Sequence, residues 1–365
     1  KQKTAYEIYQ CDWSSDVCSS DLFSTLGWPN ESAEDLRAFY PTDALVTAPE
    51  ILFFWVARMI MSGYYCMGRS PFHTVYLTGT VRDMQHRKMS KSLGNGIDPL
   101  DVVAQFGADA MRFTLLQGMG LGVDVMLDPT DLEKSFAPGR NFATKLWNIG
   151  RFLLLQVGSD PVREFSALRA ETLTSADRWI LDRLAAAIAD CDAALGPARP
   201  TGTTWTEPER NAGMRLDAYA EAARRFVWND LADWYVEACK ARLLQPGDDR
   251  EIARAVLVHV FDQALRLLHP AIPFITESLW RRLPSSTPGR FIAQASWPQR
   301  DSNHVGGGAA FDLVREVITG IRQLRSDYGL APGKEVTAHV VGPAALVQTV
   351  LSESALLGQI GRAHV

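Results

Sequence analysis

Residues 87–96 read RKMSKSLGNG and lie in a polar loop after HTVYLTG (73–79), a stretch with the β-branched and aromatic composition of a buried strand. Just beyond them, Asp98 and Pro99 are typical of a helix start, because aspartate caps the first free amides and proline fits the first turn. A strand, a loop with two lysines and a capped helix therefore follow one another. This order predicts an α/β segment whose loop presents cations to an anion.

The spacing of the two lysines suits the binding of a polyphosphate. Lys88 and Lys91 are three residues apart, so both ammonium groups can lie on one side of the loop. Their hydrogen bonds to phosphate are stronger than neutral ones, and they tighten as charge develops on a leaving pyrophosphate. An isolated KxxK is usually a solvated surface segment, so the prediction depends on the whole string and its neighbours.

The sequence predicts helices on both sides of the loop. Upstream, residues 50–65 have helical periodicity, and Phe53, Phe54, Trp55 and Met59 by themselves favour helix core. Residues 23–49 are predicted to be a loop. Downstream, apolar stripes at intervals of three and four predict a helical bundle. The predicted helices cover residues 98–107, 108–118, 132–156, 175–195, 216–244, 250–268, 272–283 and 311–328.

Composition excludes several classes of protein. The 365 residues are 47% hydrophobic and 22% charged with a net charge of −5, which excludes collagen-like and disordered chains, and no apolar run reaches the roughly 18 residues of a membrane-spanning helix. The five scattered cysteines contain no CxxC pair, so we expect free thiols, no structural metal and a cytoplasmic location. A local basic patch is expected at Arg82, Arg87, Lys88 and Lys91, opposed only by Asp83.

Some segments depart from this pattern. Residues 1–22 lack helical or strand periodicity and resemble translated sequencing-adapter read-through, as do residues 360–365, so no function is expected there. Residues 196–213 are rich in proline, glycine and threonine and are predicted to be a long loop or an insertion. Residues 336–342 (VTAHVVG) have the composition of a strand without a visible partner.

The lysine loop and its flanks resemble the class I aminoacyl-tRNA synthetases, and among them the valyl-tRNA synthetase family. KMSKS (88–92) matches the second signature of the class, and Gly94, Asn95, Asp98 and Pro99 continue its pattern. The isoleucyl and leucyl families share the architecture but match less well before the loop. The resemblance covers most of residues 23 to about 358, through FYPTDALVTAPEILFFWVARMIM, PFHTVYLTGTVRDMQHRKMSKSLGNGIDPLDVV, GADAMRFTL, GRNFATKLWNIGRFLL, SADRWILDRL, FVWNDLADWYVEACKARL and LRLLHPAIPFITESLW.

This resemblance implies ATP-dependent activation of valine as an adenylate, release of pyrophosphate and transfer of valine to the terminal ribose of tRNA(Val). The nucleotide substrate would be ATP with Mg²⁺, and no protein-bound structural metal is implied. Lys88 and Lys91 would bind the ATP phosphates as the catalytic residues. Met89, Ser90 and Ser92 would complete the ATP-binding loop.

Further site residues follow from the same resemblance. Ile51 and Trp55 match positions that line the amino-acid pocket, where an aliphatic wall and an indole face would bury a small apolar side chain. The helical half resembles an anticodon-binding bundle, in which cations would meet phosphates while amides and an aromatic ring meet unstacked bases. Its candidate tRNA-binding residues are Arg140, Asn141, Lys145, Trp147 and Asn148. Asn148 could instead cap or bridge helices, and Trp147 could belong to the core.

The predicted fold class is α/β followed by all-α, that is, the C-terminal part of a Rossmann-like class I catalytic domain and then a helical anticodon-binding bundle. The expected domains are an artefactual or disordered segment at 1–22, the catalytic part at 23–128, the bundle at 129–303 and a truncated helical or α+β extension at 304–365.

The H-x-G-H signature of the class does not occur in the sequence, and neither the editing insertion nor the C-terminal coiled coil of the family is recognisable. We therefore expect a longer parent, an aminoacyl-tRNA ligase acting as a monomer, to carry the activity, and this chain alone to be inactive in adenylate formation. Two alternatives stay open. Instead of a part of a valyl enzyme, the chain could be a non-catalytic tRNA-binding module or a fragment of an isoleucyl-tRNA synthetase.

Overall fold

The computed structural model describes residues 26–158, 160–196, 213–284, 289–301, 303–304, 306–330, 339, 341–354 and 356–358. As far as they are described, these residues form two compact units. The first comprises Lys1–Ile97, Gln117–Thr130 and Ala194–Asp217, and the second comprises Asp98–Leu116, Asp131–Ala193 and Ala218–Val365.

The first unit contains a strand, a helical crossover and a second strand in parallel. Strand β1 (Thr42–Thr47) pairs with β2 (Phe72–Leu77), and Leu45 lies opposite Val75. The crossover between them is a helix that begins as a 3-10 turn and a π-helical segment, so the helix predicted at 50–65 is confirmed. Its three parts are the 3-10 turn Pro49–Ile51, the π-helical segment Leu52–Val56 and helix α2 (Ala57–Met67).

The prediction of a loop at residues 23–49 is wrong in part. Helix α1 (Glu34–Phe39) and strand β1 lie within it. Leu36 and Tyr40 are buried together against Trp28 and other apolar side chains, which explains why such a short helix is stable. Strand β1 escapes sequence analysis because its partner β2 is supplied from about thirty residues further along the chain.

A second strand pair leads into the lysine loop. Strand β3 (Val81–Arg82) pairs in parallel with β4 (Val125–Met126), and Arg82 also forms an antiparallel bridge with Lys88. Just before β3, a side chain at Gly79 would collide with the backbone carbonyl of Val123, so only glycine fits there. The chain can thus reach the loop in close contact with the segment before β4.

The predicted bundle is confirmed in the second unit. Asp98 caps the helix after the loop, because its carboxylate accepts a hydrogen bond from the amide of Leu100 (2.8 Å). The helix predicted at 216–244 runs through without a break and contains a π-helical segment in its middle, Phe226–Tyr235. The α-helices are α3 (Pro99–Phe106), α4 (Ala108–Gly118), α5 (Leu132–Val157), α6 (Ser175–Leu195), α7 (Leu216–Arg225), α8 (Val236–Leu244), α9 (Asp248–Leu268), α10 (Pro273–Trp280), α11 (Ala309–Asp327) and α12 (Ala344–Ser352).

Helix α4 is joined to the α9–α10 corner by polar contacts. Arg112 donates hydrogen bonds to the carbonyls of Pro270 (3.0 Å) and Ala271 (3.2 Å). Asp109 accepts from the first amides of α10, those of Phe274 (3.3 Å) and Ile275 (2.7 Å). Helix α4 is therefore tied to the bundle by these four hydrogen bonds.

Four segments singled out from the sequence lie wholly or largely outside the described residues: 1–22, 196–213, 336–342 and 360–365. Across the described residues, none of the helices combines the length and the apolarity that a membrane crossing requires.

Candidate functional site

The lysine loop starts from a tight turn over residues 83–87. The amide of Asp83 donates to the carbonyl of Arg87 (2.9 Å), and the amide of Met89 donates to the carbonyl of Val81 (3.1 Å). The two sides of this turn are thereby paired before the chain enters KMSKS. The backbone of Lys88 is consequently fixed at the base of the loop.

The Asp83 carboxylate organises this turn from inside. Its side chain is fully buried, and its oxygens accept from the amides of Gln85 (3.0 Å) and Arg87 (2.9 Å) and from the Nε of Arg87 (2.9 Å). The Nδ2 of Asn95 donates to it as well (2.9 Å). The hydrogen bond from Asn95, together with those from Arg87 and Gln85, holds the pKa of Asp83 well below its usual range. Asp83 is therefore a charged anchor of the turn.

Asn95 closes the loop at its other end. Its Oδ1 accepts from the amide of Ser90 (2.9 Å), while its Nδ2 donates to Asp83 and to the carbonyl of Lys88 (3.3 Å). Only 7% of Asn95 is exposed. One buried amide thus joins both sides of the lysine loop to the carboxylate beneath it.

The prediction that Asp83 alone opposes the basic patch is wrong. Glu50 forms an ion pair with the Nζ of Lys88 and accepts from the hydroxyl of Thr80 (3.1 Å). The hydrogen bond from Lys88, and next that from Thr80, lowers the pKa of Glu50. Asp124 in turn binds the Nε of Arg82 (2.5 Å). Both carboxylates come from distant segments, 38 residues from Lys88 and 42 from Arg82, which is why local sequence gave no sign of them.

Lys91 occupies a different position in the loop. It lies at the exposed tip, and within the described part of the chain its ammonium group makes no ion pair. The neighbouring hydroxyls of Ser90 and Ser92 lie 3.1 Å apart, and the amide of Leu93 donates to Ser90 Oγ (3.3 Å). The structure therefore separates the two lysines into a paired one and an unpaired one.

The predicted amino-acid pocket residues lie in the irregular start of the crossover helix. Ile51 ends the 3-10 turn and is 37% exposed, and Trp55 is partly buried in the π-helical segment. Phe53 and Phe54 are 80% and 59% exposed, so their interpretation as helix core is wrong. Since Glu50 directly precedes Ile51, its ion pair with Lys88 brings this segment to the lysine loop.

A groove lies on the bundle, with a cavity of about 810 Å³. It contains three of the five candidate tRNA-binding residues, because Asn141, Lys145 and Asn148 recur at helical spacing on one face of α5. Other helices supply residues that sequence analysis missed, among them Lys240 and Arg322. Their only signal is a polar position within an apolar stripe.

The charges of the groove are partly balanced. Lys145 pairs with Asp233 (2.6 Å) and lies 4.0 Å from the centre of the Trp228 ring, while Lys240 pairs with Glu237 (2.6 Å). Arg322 lies over Trp234, 5.1 Å from the ring centre, and burial lowers its pKa. Three cations therefore face two carboxylates beside an indole ring. Such a surface suits the phosphates of a nucleic-acid backbone.

The remaining two candidates lie away from the groove. Arg140 is held by Glu133, with Nη1 to Oε2 at 2.9 Å, and lies 5.5 Å from the centre of the Phe106 ring. Trp147 is 40% exposed rather than part of the core, and Arg282 lies 5.9 Å from its ring centre.

Two family profiles match the chain. One describes "tRNA synthetases class I (I, L, M and V)" and matches residues 3–128, and the other describes the "Anticodon-binding domain of tRNA ligase" and matches residues 210–341. The first therefore includes the lysine loop and the crossover helix, and the second includes Trp234, Lys240 and Arg322.

Curated valine–tRNA ligases are also similar to the chain in sequence. Valine–tRNA ligase of Petrotoga mobilis is 42% identical over 319 residues, 86% of this chain and 33% of that protein. Valine–tRNA ligase of Streptomyces coelicolor is 43% identical over 321 residues, 87% of this chain and 34% of the relative. The chain thus spans about a third of the length of the curated relatives it matches.

Solved structures share the fold. The Agrobacterium radiobacter LeuRS, in a ternary complex with tRNA and LeuAMS, aligns with a TM-score of 0.56 and 21% identity over 79% of this chain and 34% of its own. Mycobacterium tuberculosis methionyl-tRNA synthetase, in complex with methionyl-adenylate, aligns with a TM-score of 0.52 and 19% identity over 72% of this chain and 48% of its own. From its profiles, relatives and fold together, we conclude that the chain belongs to the class I tRNA synthetase family.

Proposed function

We propose that the chain is the part of a valine–tRNA ligase that binds the phosphates of ATP and the anticodon arm of tRNA(Val). The longer protein would activate valine with ATP and transfer it to the tRNA. The observation that carries this proposal is the contact between Glu50 and Lys88, because it joins the segment of Ile51 and Trp55 to the lysine loop. An amino acid and ATP must meet in this way for an adenylate to form.

The activation step needs charge stabilisation more than proton transfer. A carboxylate oxygen of valine attacks the α-phosphorus of ATP, and the bond from that phosphorus to the oxygen bridging to the β-phosphorus breaks. The electron pair leaves with pyrophosphate, and the ammonium groups of Lys88 and Lys91 would neutralise it as it forms. A ribose hydroxyl of the tRNA then attacks the valyl carbonyl and releases AMP.

We expect Lys91 to bind the polyphosphate before Lys88 does. Lys91 is unpaired within the described residues and can meet a phosphate directly, whereas Lys88 must first leave Glu50. Glu50 therefore competes with the polyphosphate for Lys88. In the resting loop this pairing limits the affinity that Lys88 adds.

Magnesium would arrive with the nucleotide. Among the described residues, no group of three or more histidine, cysteine, aspartate or glutamate side chains is arranged to hold a metal ion. The acids near the loop, Glu50, Asp83 and Asp124, are each engaged by a cation. This donor set fits Mg²⁺ carried mainly by phosphate oxygens and water, where it would neutralise phosphate charge.

Valine is the amino acid that the relatives' names favour over isoleucine. Ile51 and Trp55 would offer it an apolar wall, which suits a small branched side chain without polar atoms. We also expect the longer protein to act as a monomer, and this chain alone to form no adenylate. Pyrophosphate exchange dependent on valine, by the purified chain, would contradict the last expectation.

The groove on the bundle is the proposed contact for the tRNA. Lys145, Lys240 and Arg322 would bind phosphates of the tRNA backbone. The amides of Asn141 and Asn148 can donate to and accept from base edges.

Calorimetry with tripolyphosphate tests the lysine loop. We expect Lys91→Met to weaken binding about tenfold or more, because a charge-assisted contact is lost, and Lys88→Met to weaken it less. Glu50→Gln should strengthen binding a few-fold by freeing Lys88. Lys134→Met, a change at an exposed lysine on α5, is the matched control. Equal losses in the control and in Lys91→Met would refute the proposal.

Filter binding of tRNA(Val) at several salt concentrations tests the groove. Lys145→Met and Lys240→Met should each weaken binding and lower the salt slope by about one, while Lys134→Met leaves both unchanged. Binding of tRNA without binding of tripolyphosphate would favour the alternative of a non-catalytic tRNA-binding module. Unchanged affinity in both groove variants would refute the groove as the contact.

A further inference from the structure

We propose that Asn95 is a positioning residue for polyphosphate binding, which holds the backbone of the lysine loop so that only the tip with Lys91 moves. This inference rests on the proposed function of the loop. It assigns a separate role to a residue that touches no phosphate in the proposed mechanism.

The buried amide of Asn95 joins three parts of the loop. It accepts from the amide of Ser90 (2.9 Å) and donates to the carbonyl of Lys88 (3.3 Å) and to the carboxylate of Asp83 (2.9 Å). Asn95 is 7% exposed and Asp83 is fully buried. Water therefore cannot easily replace these bonds when one is lost.

The chemistry of the position calls for an amide. The partner on one side is a donor, the amide of Ser90, and on the other side a charged acceptor, Asp83. A carboxylate at position 95 would serve the first partner but would face a second carboxylate across a hydrogen-bond distance. An alanine would leave Ser90 and Asp83 each short of a partner.

The remainder of the loop is held only by exposed hydrogen bonds, from the amide of Gly94 to the carbonyl of Lys91 (3.3 Å) and from the amide of Leu93 to Ser90 Oγ (3.3 Å), which water can replace. Lys91, Ser92 and Leu93 are exposed, and Leu93 is 59% exposed despite its apolar side chain. Gly94 has a φ of +64° and would have no heavy atom within 4 Å of an added Cβ, so the space around it is open. The tip between Ser90 and Asn95 is thus bounded by a fixed residue at each end.

A fixed backbone at Lys88 and Ser90 lowers the entropic cost of binding a polyphosphate. If Lys88 and Ser90 are already in place, the ligand needs to order only the tip. Without Asn95, the backbone of Lys88 would also be mobile, so the ligand would have to order both lysines. The affinity for a polyphosphate should then fall although no cation has been removed.

Four variants of the full chain separate this role from a merely structural one. Asn95→Ala removes all three bonds, and Asn95→Asp places two acids together. The double change Asp83→Asn with Asn95→Asp exchanges donor and acceptor and restores the bond between positions 83 and 95, but it leaves the Lys88 carbonyl without its donor and Arg87 without its charged partner. Gln85→Ala removes an exposed amide from the same turn and is the matched control.

Two readouts are needed besides the melting of the helices by circular dichroism. The first is the exchange rate of the Ser90 amide by NMR, and the second is the affinity for tripolyphosphate by calorimetry. With helix melting unchanged, we expect Asn95→Ala to speed exchange about tenfold and weaken binding about tenfold, as for one lost hydrogen bond. Asn95→Asp should weaken binding further, and the double variant should bind more tightly than Asn95→Asp because the two acids no longer face each other.

The outcomes distinguish the two proposals. Parent protein that fails to bind tripolyphosphate refutes the proposed function of the loop. Parent protein that binds it, with Asn95→Ala binding equally well, refutes only the role of Asn95. Faster exchange without weaker binding would also refute that role, because it would show that the bonds are structural alone.

Discussion

The carboxylate of Asp177 connects the start of α6 with the long helix at 216–244. Its side chain is fully buried and accepts from the amide (3.0 Å) and the hydroxyl (2.8 Å) of Thr174. It also accepts from the hydroxyl of Tyr235 (2.6 Å) and from Nη1 of Arg242 (2.8 Å). We expect Asp177→Ala to destabilise the helical unit more than almost any other single change of a polar side chain there.

The magnitude follows from what the substitution leaves behind. Removing one partner of a buried ion pair costs about 3–5 kcal/mol, because the other charge stays buried. The two hydrogen bonds that Asp177 accepts from the other helix, from Tyr235 and Arg242, give a similar sum when each is counted at about 1.5–3 kcal/mol. Arg242 keeps a second partner in Asp249 (2.9 Å), so the lower end, about 3 kcal/mol, is the expected loss.

Urea unfolding followed by far-ultraviolet circular dichroism measures this loss. Asp190→Ala on the same helix is the matched control, because Asp190 is 50% exposed in its pair with Arg225 and such pairs contribute about 0–1 kcal/mol. If Asp177→Ala lowers the free energy of unfolding by no more than the control does, the reasoning about buried charge in this bundle is refuted.

Three further predictions concern the same unit. Burial lowers the pKa of His259 from 6.5 to about 4, so the unfolded chain takes up the proton more readily between these values and stability should fall as the pH falls from 6.5 to about 4. His259→Phe, which can still pack on Phe165, should remove this part of the pH dependence of urea unfolding; an unchanged profile would contradict the assignment. Gly139→Ala should destabilise by about 1–3 kcal/mol, since its Cβ would lie 2.5 Å from the carbonyl oxygen of Ala110 and 2.7 Å from the hydroxyl of Thr114, and a melting temperature equal to that of the parent would argue against this close packing of α4 on α5. Arg315→Met should cost about 1–3 kcal/mol in urea unfolding, because the guanidinium lies 4.5 Å from the Trp179 ring centre and 4.9 Å from that of Trp234, and a neutral effect would show that these cation–π contacts add nothing.

Local signals predicted most helices of the chain. The capping pair Asp98 and Pro99 marked the start of α3, and the helix predicted at 175–195 has the bounds of α6. These helices depend on residues three or four positions apart, so their pattern is visible within a short stretch of sequence. Strand β1 and the π-helical segments were missed, because pairing with β2 and packing in the bundle, rather than local periodicity, stabilise them.

The candidate site divides in the same way. The string KMSKS singled out Lys88 and Lys91 as candidate phosphate-binding residues, because a contiguous signature can be recognised without knowledge of the fold. Its surroundings could not be predicted, because Glu50 and Asp124 approach the loop from 38 and 42 residues away from their partners. The groove is a similar case, with Asn141 and Lys145 predicted and Arg322 missed.

By itself, the sequence determined the family, the order of helices and the two lysines that we propose to meet a polyphosphate. Only the tertiary structure decided that Lys88 is paired and Lys91 exposed, that Asp83 is buried and that Asn95 joins the two sides of the loop. The physical reason is that a side chain's charge follows from its chemistry, whereas its solvation and its partners depend on segments that folding brings together from distant parts of the chain.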